Sequence, residues 1–250
     1  MASAPRFSVR LVGSRSLAPL VRELSFAPTT GGPITFLAGQ WVNLLLPVGA
    51  DGDSGAPPPI LRRSYSIASA PSPTAETFEL AVTRVSAGPG SRYLHELPHG
   101  AELEAEGPQG FFTRDPHFSS PTLFVATGTG LTPLRSMLLA AIDAGSSTPV
   151  HLILGARHEA DLLYRDELSA LERSHPWFRA TYTLSRAEDG WTGARGYVQT
   201  HVRGALAALA SFGEPHVFAC GLQRMVSAVR ELVRADLGYP RARMHAERFD

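Results

Sequence analysis

Several short segments collect the residue types that handle phosphates, aromatic rings and protons. Arg63-Ser64-Tyr65-Ser66 sets a cation, a ring and two hydroxyls side by side, and Val82-Thr83-Arg84 and Gly88-Pro89-Gly90-Ser91 follow it. An arginine, a glycine loop and a helix start can together hold a pyrophosphate, because a guanidinium offers paired donors and the first turn of a helix has free N–H groups. A tyrosine beside them can cover an aromatic ring. Each piece also has a plainer reading: Arg63 as a surface charge, Tyr65 as core packing, 88–91 as a β-turn. Further along stands Gly128-Thr129-Gly130-Leu131-Thr132-Pro133. Its glycines allow a tight turn and close approach to a phosphate. Thr132 reads as an N-cap and Pro133 as the first helical residue. This is not G-x-G-x-x-G, since Pro133 replaces the third glycine, and an ordinary glycine turn into a capped helix would look the same.

The elements that must position these residues change character along the chain. Up to about residue 116, the runs RFSVRLVG, VRELSF, QWVNLLLPV, RRSYSIAS, TFELAVTRV and AELEAEG alternate with Gly and Pro. Six such runs predict an antiparallel sandwich or barrel. A short helix is expected at 92–97, and the Gly/Pro/Asp-rich stretch 47–60 reads as a surface loop. From about residue 121, strands TLFVAT, PVHLILGA, FRATYTL, HVFACG and ARMHAERF alternate with helices expected over 133–144, near 159–173, over about 195–210 and over 222–236. That rhythm predicts a five-stranded parallel sheet with helices on both faces. The break falls in 114–121, where prolines and polar residues interrupt both patterns.

An open parallel sheet binds ligands outside the carboxyl ends of its strands. On that rim the sequence sets GTGLTP, then Gly155-Ala156-Arg157, Ser185-Arg186, Cys220-Gly221 and Glu247-Arg248-Phe249. Small residues, hydroxyls, arginines and the chain's one thiol collect there, which argues for a site.

Composition narrows the function. Hydrophobic residues are 44% and charged residues 18%, ordinary for a globular enzyme. Twenty-three basic and twenty-three acidic residues cancel, so nothing points to nucleic acid. Cys220 is the single cysteine, which excludes an internal disulfide, a cysteine-ligated iron–sulfur cluster and a zinc ribbon. The start MASAPRFSVR lacks the apolar core of a signal peptide, and no run is long enough to span a bilayer. A reducing, cytoplasmic setting and a monomer are the expectations. The nine histidines show no metal-ligand spacing, and no metal is expected. His245-Ala246-Glu247 is a strand pattern rather than the helical H-E-x-x-H. No G-x-S-x-G elbow occurs.

Taken in order, RSYS at 63–66, GPGS at 88–91, ATGTGLTPLRSML at 126–138, GARHEADLLYRDEL at 155–168, FACGLQRM at 218–225 and ExF at 247–249 resemble the ferredoxin–NADP reductase superfamily. The resemblance runs from about residue 5 to residue 249. It implies a two-domain protein: an FAD-binding six-stranded antiparallel Greek-key β-barrel over 1–116 and an NAD(P)-binding, Rossmann-like α/β domain with a five-stranded parallel sheet over 117–250. It also implies roles. Arg63 would pair with the FAD pyrophosphate, Tyr65 stack on the isoalloxazine, and Ser66 hydrogen-bond near flavin N5. Val82 and Arg84 would flank the ribityl chain, and Gly90, Ser91 and Arg92 would cradle the pyrophosphate. Thr129, Gly130 and Thr132 would hold the dinucleotide pyrophosphate and ribose. Cys220 would line the nicotinamide pocket, Glu247 would assist proton movement at the flavin edge, and Phe249 would join the cofactor contacts.

The implied activity is an FAD-dependent oxidoreductase that takes hydride from NAD(P)H and passes electrons to a separate acceptor such as ferredoxin, flavodoxin or an oxygenase component. Ser185-Arg186 and Arg195-Gly196-Tyr197 match the 2′-phosphate site of the plant-type branch, which favours NADPH over NADH. The alternatives are a free-flavin or ferric reductase, and a non-catalytic flavin-binding subunit or redox sensor. The intact GTGLTP and CGLQRM segments count against the last.

Overall fold

The computed structural model describes residues 4–48 and 59–249. Residues 49–58, most of the expected loop at 47–60, lie outside the described residues.

The first half consists of β1 (Arg6–Ala18), β2 (Val21–Pro28), β3 (Trp41–Pro47), β4 (Ile60–Ser66), β5 (Phe78–Thr83), helix α1 (Pro89–Glu96) and β6 (Glu102–Gln109). All six expected strands are present. They pair antiparallel in the order β4-β3-β6-β1-β2-β5. A bridge between Ile67 and Leu80 ties the end of β4 to β5, so the two edges of that order meet and the sheet curls into a barrel. Alternate side chains point inward, as in β6, where Leu103 and Ala105 are buried between exposed Glu102 and Glu104. The barrel core holds Phe26 and Phe78 with ring centroids 6.0 Å apart, together with Leu24, Leu44, Leu46 and Leu80. Each such burial contributes about 1.5–3 kcal/mol. Helix α1 covers the barrel through Leu94 and starts at Pro89, earlier than the expected 92–97.

The second half runs β7 (Thr122–Thr127), α2 (Leu131–Asp143), β8 (Val150–Ala156), α3 (Arg165–Ser174), β9 (Phe178–Leu184), β10 (Ala194–Arg195), α4 (Gln199–Leu209), β11 (His216–Leu222), α5 (Gln223–Glu231) and β12 (Met244–Phe249). The sheet is parallel, in the order β10-β9-β8-β7-β11-β12. Successive residues of its strands face opposite layers. Phe124, Leu152, Leu154 and Phe218 pack with α2 and α3, while Leu123, Val125, Ile153 and Val217 pack with α4 and α5. The α2 layer also takes in Ala18, Val21, Ala81 and Phe112 from the first half, so one apolar core is shared across the junction.

Three expectations shift. The sheet has a sixth strand, the two-residue β10, and α4 therefore begins at Gln199 rather than near 195, after Gly196 turns the chain at φ 99. The helix expected near 159–173 splits into a 3₁₀ turn over Glu159–Asp161 and α3, because Tyr164 takes a left-handed φ of 53. The helix expected over 222–236 ends as α-helix at Glu231 and finishes in a π turn, Leu232–Asp236. No helix among the described residues is long and apolar enough to cross a membrane.

Candidate active site

A cavity of about 720 Å³ opens at the carboxyl ends of β7, β8 and β9 and at the start of α5. Thr127, Gly128, Gly155, Arg157, Ser185, Arg186, Tyr197 and Arg224 line it from the second half; Ala18, Leu20, Val21 and Thr83 line it from the barrel. Its size suits a cofactor-scale ligand, and it lies in the cleft between the halves.

The glycine loop is built differently from its sequence reading. Gly128 turns at φ 53, and Gly128–Gly130 form a 3₁₀ turn. Gly130 is there for packing: a Cβ on it would stand 2.2 Å from the Cys220 carbonyl oxygen. Thr132 is not the N-cap. Helix α2 begins two residues earlier than expected, at Leu131, so Thr132 falls inside the first turn, is 1% exposed, and donates its hydroxyl to the Thr129 carbonyl at 2.8 Å. The N-cap is Gly130, with no side-chain cap and no acid in the first turn. That leaves the leading N–H groups of the helix without side-chain partners.

The arginines divide by environment. Arg186 and Ser185 line the cavity, as does the exposed Tyr197. Arg195 does not: its guanidinium donates to the carbonyls of Ala187, Glu188 and Trp191 at 3.0–3.2 Å and braces the loop before β10. Two further arginines, Arg157 and Arg224, line the cavity without a role implied by the resemblance. Arg157 was named on the rim from sequence, whereas Arg224 lies in the first turn of α5, past the Cys220-Gly221 pair that the rim reading named.

On the barrel, Arg63 and Tyr65 sit two residues apart on β4 and share a face. Tyr65 is half-buried, and burial pushes its hydroxyl up to about 12 against the pull of the Arg63 charge. Gly90 is buried at the start of α1, where a Cβ would meet Leu46, Leu61 and the Arg63 chain. The helix start and Arg63 are thereby in contact. Helix α1 has Gly88 as N-cap with no side-chain cap, and no acid lies in its first turn. The Ser91 hydroxyl is committed locally, accepting from Val85 N at 3.0 Å and donating to the Gly88 carbonyl at 3.0 Å. Arg92 is exposed, and Arg84 pairs with Glu96 at 3.6 Å. Val82 is buried, and its carbonyl lies 2.9 Å from His95 Nε2.

Ser66, Cys220 and Glu247 come near one another from three strands. Cys220 and Glu247 are register partners on β11 and β12. Ser66, 7% exposed, neighbours Glu247 across the junction of the halves. Burial raises the Glu247 carboxyl to about 7, with the Ser66 hydroxyl working in the opposite direction. Its Oε2 is buried without a hydrogen-bond partner. Cys220 is fully buried, and burial, with the Glu247 charge adding to it, drives the thiol well above its usual range. A protonated, enclosed thiol is no nucleophile. Phe249 is partly buried against the core that holds Cys220.

A barrel with an arginine–tyrosine strand, joined through a dinucleotide-sized cleft to a parallel sheet, defines a two-domain flavin and nicotinamide oxidoreductase. The family descriptions agree: residues 8–113 match the oxidoreductase FAD-binding domain and residues 124–231 the oxidoreductase NAD-binding domain. The chain is 53% identical to ferredoxin–NADP reductase B of Sorangium cellulosum over 253 residues, covering all of both chains. It is 33% identical to the stachydrine N-demethylase reductase subunit of Rhizobium meliloti, covering 93% of this chain and 63% of that one. A ferredoxin NADP+ reductase from Neisseria gonorrhoeae superposes with a TM-score of 0.80 at 20% identity, covering 98% and 99% of the two chains. The chain belongs to the ferredoxin–NADP reductase family. It is an NAD(P)H-dependent flavoprotein reductase that carries electrons through FAD to a separate acceptor.

Proposed function

We propose that the chain oxidises NADPH in preference to NADH and delivers electrons to a ferredoxin, a flavodoxin or an oxygenase component; the relatives above are named as a ferredoxin–NADP reductase and as the reductase subunit of an N-demethylase. The observation that carries the NADPH reading is the cavity wall, where Ser185, Arg186, Tyr197, Arg157 and Arg224 face one space with Asp161 as its one acid. A 2′-phosphate needs cations and hydroxyls of this kind.

The residues fit FAD. The uncapped, acid-free start of α1, seated through Gly90 against the Arg63 chain, suits a pyrophosphate. Tyr65 on the same face suits the ring, with Ser66 next to it. Val82, Arg84, Ser91 and Arg92 flank this strip, Ser91 acting by shaping the loop. Bound FAD supplies the change from a two-electron to a one-electron carrier. The chain's own groups do the rest. The first turn of α2 and the turn at 128–130, including Thr129, meet the nucleotide phosphates, Thr132 and Gly130 hold that turn on β11, and Arg195 keeps the Ser185-Arg186 loop in shape. Glu247, near half-titration at neutral pH, takes up or gives a proton beside Ser66, its Oε2 being free of hydrogen-bond partners. Cys220, fully buried under the turn at 128–130, and Phe249 beside its core back the turn and keep water from behind it. The division between the domains lies in 114–121, and the setting is cytoplasmic.

Anaerobic titration of the purified yellow protein with NADPH and with NADH tests this reading. Flavin bleaching with clear preference for NADPH is expected. Equal efficiency with NADH, unaltered in Arg186→Ala, would overturn the nucleotide choice, and a flavin that neither reductant bleaches would overturn the whole reading.

A further inference from the structure

We propose that Arg135 is a positioning residue that holds the nucleotide-loop helix and the Ser66 end of β4 at the separation hydride transfer requires. The proposal rests on the reading of Ser66 as a flavin contact.

Arg135 lies in α2, the helix that starts at the GTG turn, and its side chain is 7% exposed. Every edge of its guanidinium is used. Nε and Nη2 donate to the two carboxylate oxygens of Glu167 in α3 at 2.7 and 3.0 Å. Nη1 donates to the Ala68 carbonyl at 2.7 Å and to Glu79 Oε2 on β5 at 2.8 Å. The adjacent Ser136 hydroxyl donates to the Ser69 carbonyl at 2.7 Å. Ala68 and Ser69 continue the chain from Ser66 through Ile67, whose bridge to Leu80 fixes that segment in the barrel wall. One turn of α2 therefore grips the backbone just beyond the residue that meets the flavin.

The surroundings hold the grip at a set angle. The guanidinium lies over the Tyr164 ring at 4.3 Å, and Tyr164 is the residue whose left-handed φ turns the chain into α3 and so delivers Glu167. That conformation is unfavourable for a residue with a side chain, so the surrounding contacts must hold it. Arg15 of β1 reaches the same Glu167 at 3.9 Å and pairs with the buried Glu23 of β2 at 2.5 Å. Burial alone would favour a neutral guanidinium, but Glu167 and Glu79 keep it charged. A buried ion pair is weak evidence of net stability, because desolvation offsets much of the attraction. Its planar, bidentate geometry gives direction instead. An apolar side chain of similar length would fill the space without fixing the distance between the two halves.

The test compares holoenzymes of the wild type, Arg135→Met, Arg135→Lys and Ser136→Ala by anaerobic rapid mixing with NADPH. Four quantities are read: the limiting rate of flavin reduction, the long-wavelength nicotinamide–flavin charge-transfer absorbance, the Kd for NADP+, and the FAD content. In Arg135→Met, FAD content and Kd stay within about twofold while the limiting rate falls at least about tenfold and the charge-transfer band weakens, as a displacement of order 1 Å implies. Arg135→Lys recovers part of the rate, and Ser136→Ala loses less in the same direction. Wild-type rate and band in Arg135→Met overturn the proposal, and so does a parallel loss of FAD or NADP+ affinity that accounts for the slower rate. If Arg135→Met fails to fold, unchanged rate and band in both Arg135→Lys and Ser136→Ala overturn it. A failure of the reductase reading is distinct, since the wild type itself would then not bleach.

Discussion

Two places at the junction of the halves are built on opposite principles. Around Ser66 and Glu247, polar groups are few and enclosed, and one carboxylate oxygen has no partner. Around Arg186 and Tyr197, the polar groups are many, exposed and cationic. Enclosure makes one protonation state hard to hold, which suits a group that must change state during turnover. Exposed guanidiniums, reachable from solvent, suit capture of a nucleotide from water. The enclosed pair lies outside the lining of the arginine cavity, so on the proposed reading recognition and chemistry fall to separate parts of the junction.

The harshest way to break this contrast is to disturb the turn that joins the two places. Gly130→Val puts side-chain atoms against the Cys220 carbonyl, where even a Cβ would be 2.2 Å away. Both layers of the sheet are close-packed there, so the expected loss is more than about 3 kcal/mol of stability, read by denaturant unfolding, with NADP+ binding abolished in any folded fraction. A stable variant that still binds NADP+ would show that the turn is looser than its packing.

A smaller effect separates the arginines from one another. Loss of a charge-assisted contact costs about 1.5–3 kcal/mol, so Arg186→Ala and Arg224→Ala should raise KM for NADPH by about ten- to a hundredfold and leave NADH little changed. Arg195→Ala should affect both nucleotides alike, because its guanidinium serves the loop carbonyls. Steady-state kinetics with both reductants decides it.

The smallest effect sharpens the enclosed place. With its carboxyl raised to about 7, Glu247 is mostly protonated at pH 6 and mostly ionised at pH 8. The pH profile of NADPH-driven reduction should carry an inflection near neutrality that is missing in Glu247→Gln. Stability follows the same proton. The native carboxyl binds a proton more tightly than the unfolded one, so wild-type stability relative to Glu247→Gln falls as pH rises from the ordinary glutamate range through about 7. A pH-independent difference would remove Glu247 from the proton path.

Much of the architecture was legible because it rests on local pattern. The six strands of the first half and the five main strands of the second show in periodicity and in Gly/Pro punctuation. What escaped depends on contacts distant in sequence. Nothing near residue 194 announces a two-residue strand, since β10 exists only by pairing with β9. Thr132 looked like a cap because Thr-Pro is a good helix start, but packing of the turn on Cys220 begins the helix earlier. Arg195 and Arg224 show the same limit in the site: both are arginines near the rim, and only three-dimensional placement distinguishes a loop brace from a cavity wall. Arg135 and Glu167 both lie inside segments that carry the resemblance, 126–138 and 155–168, but their pairing is not readable there, because the partners Ala68, Glu79 and Glu167 come from three separate stretches of chain.

The buried thiol has a practical side. Cys220 is the chain's single cysteine, and it is enclosed and protonated. Maleimide and iodoacetamide reagents, which need an accessible thiolate, should pass it by. A cysteine introduced at an exposed position, such as Val85 on the barrel side or Phe212 at the far end of α4, then becomes a unique labelling handle with the native sequence otherwise intact. A pair of such handles would turn the molecule into a spectroscopic ruler for the spacing of its two halves during turnover.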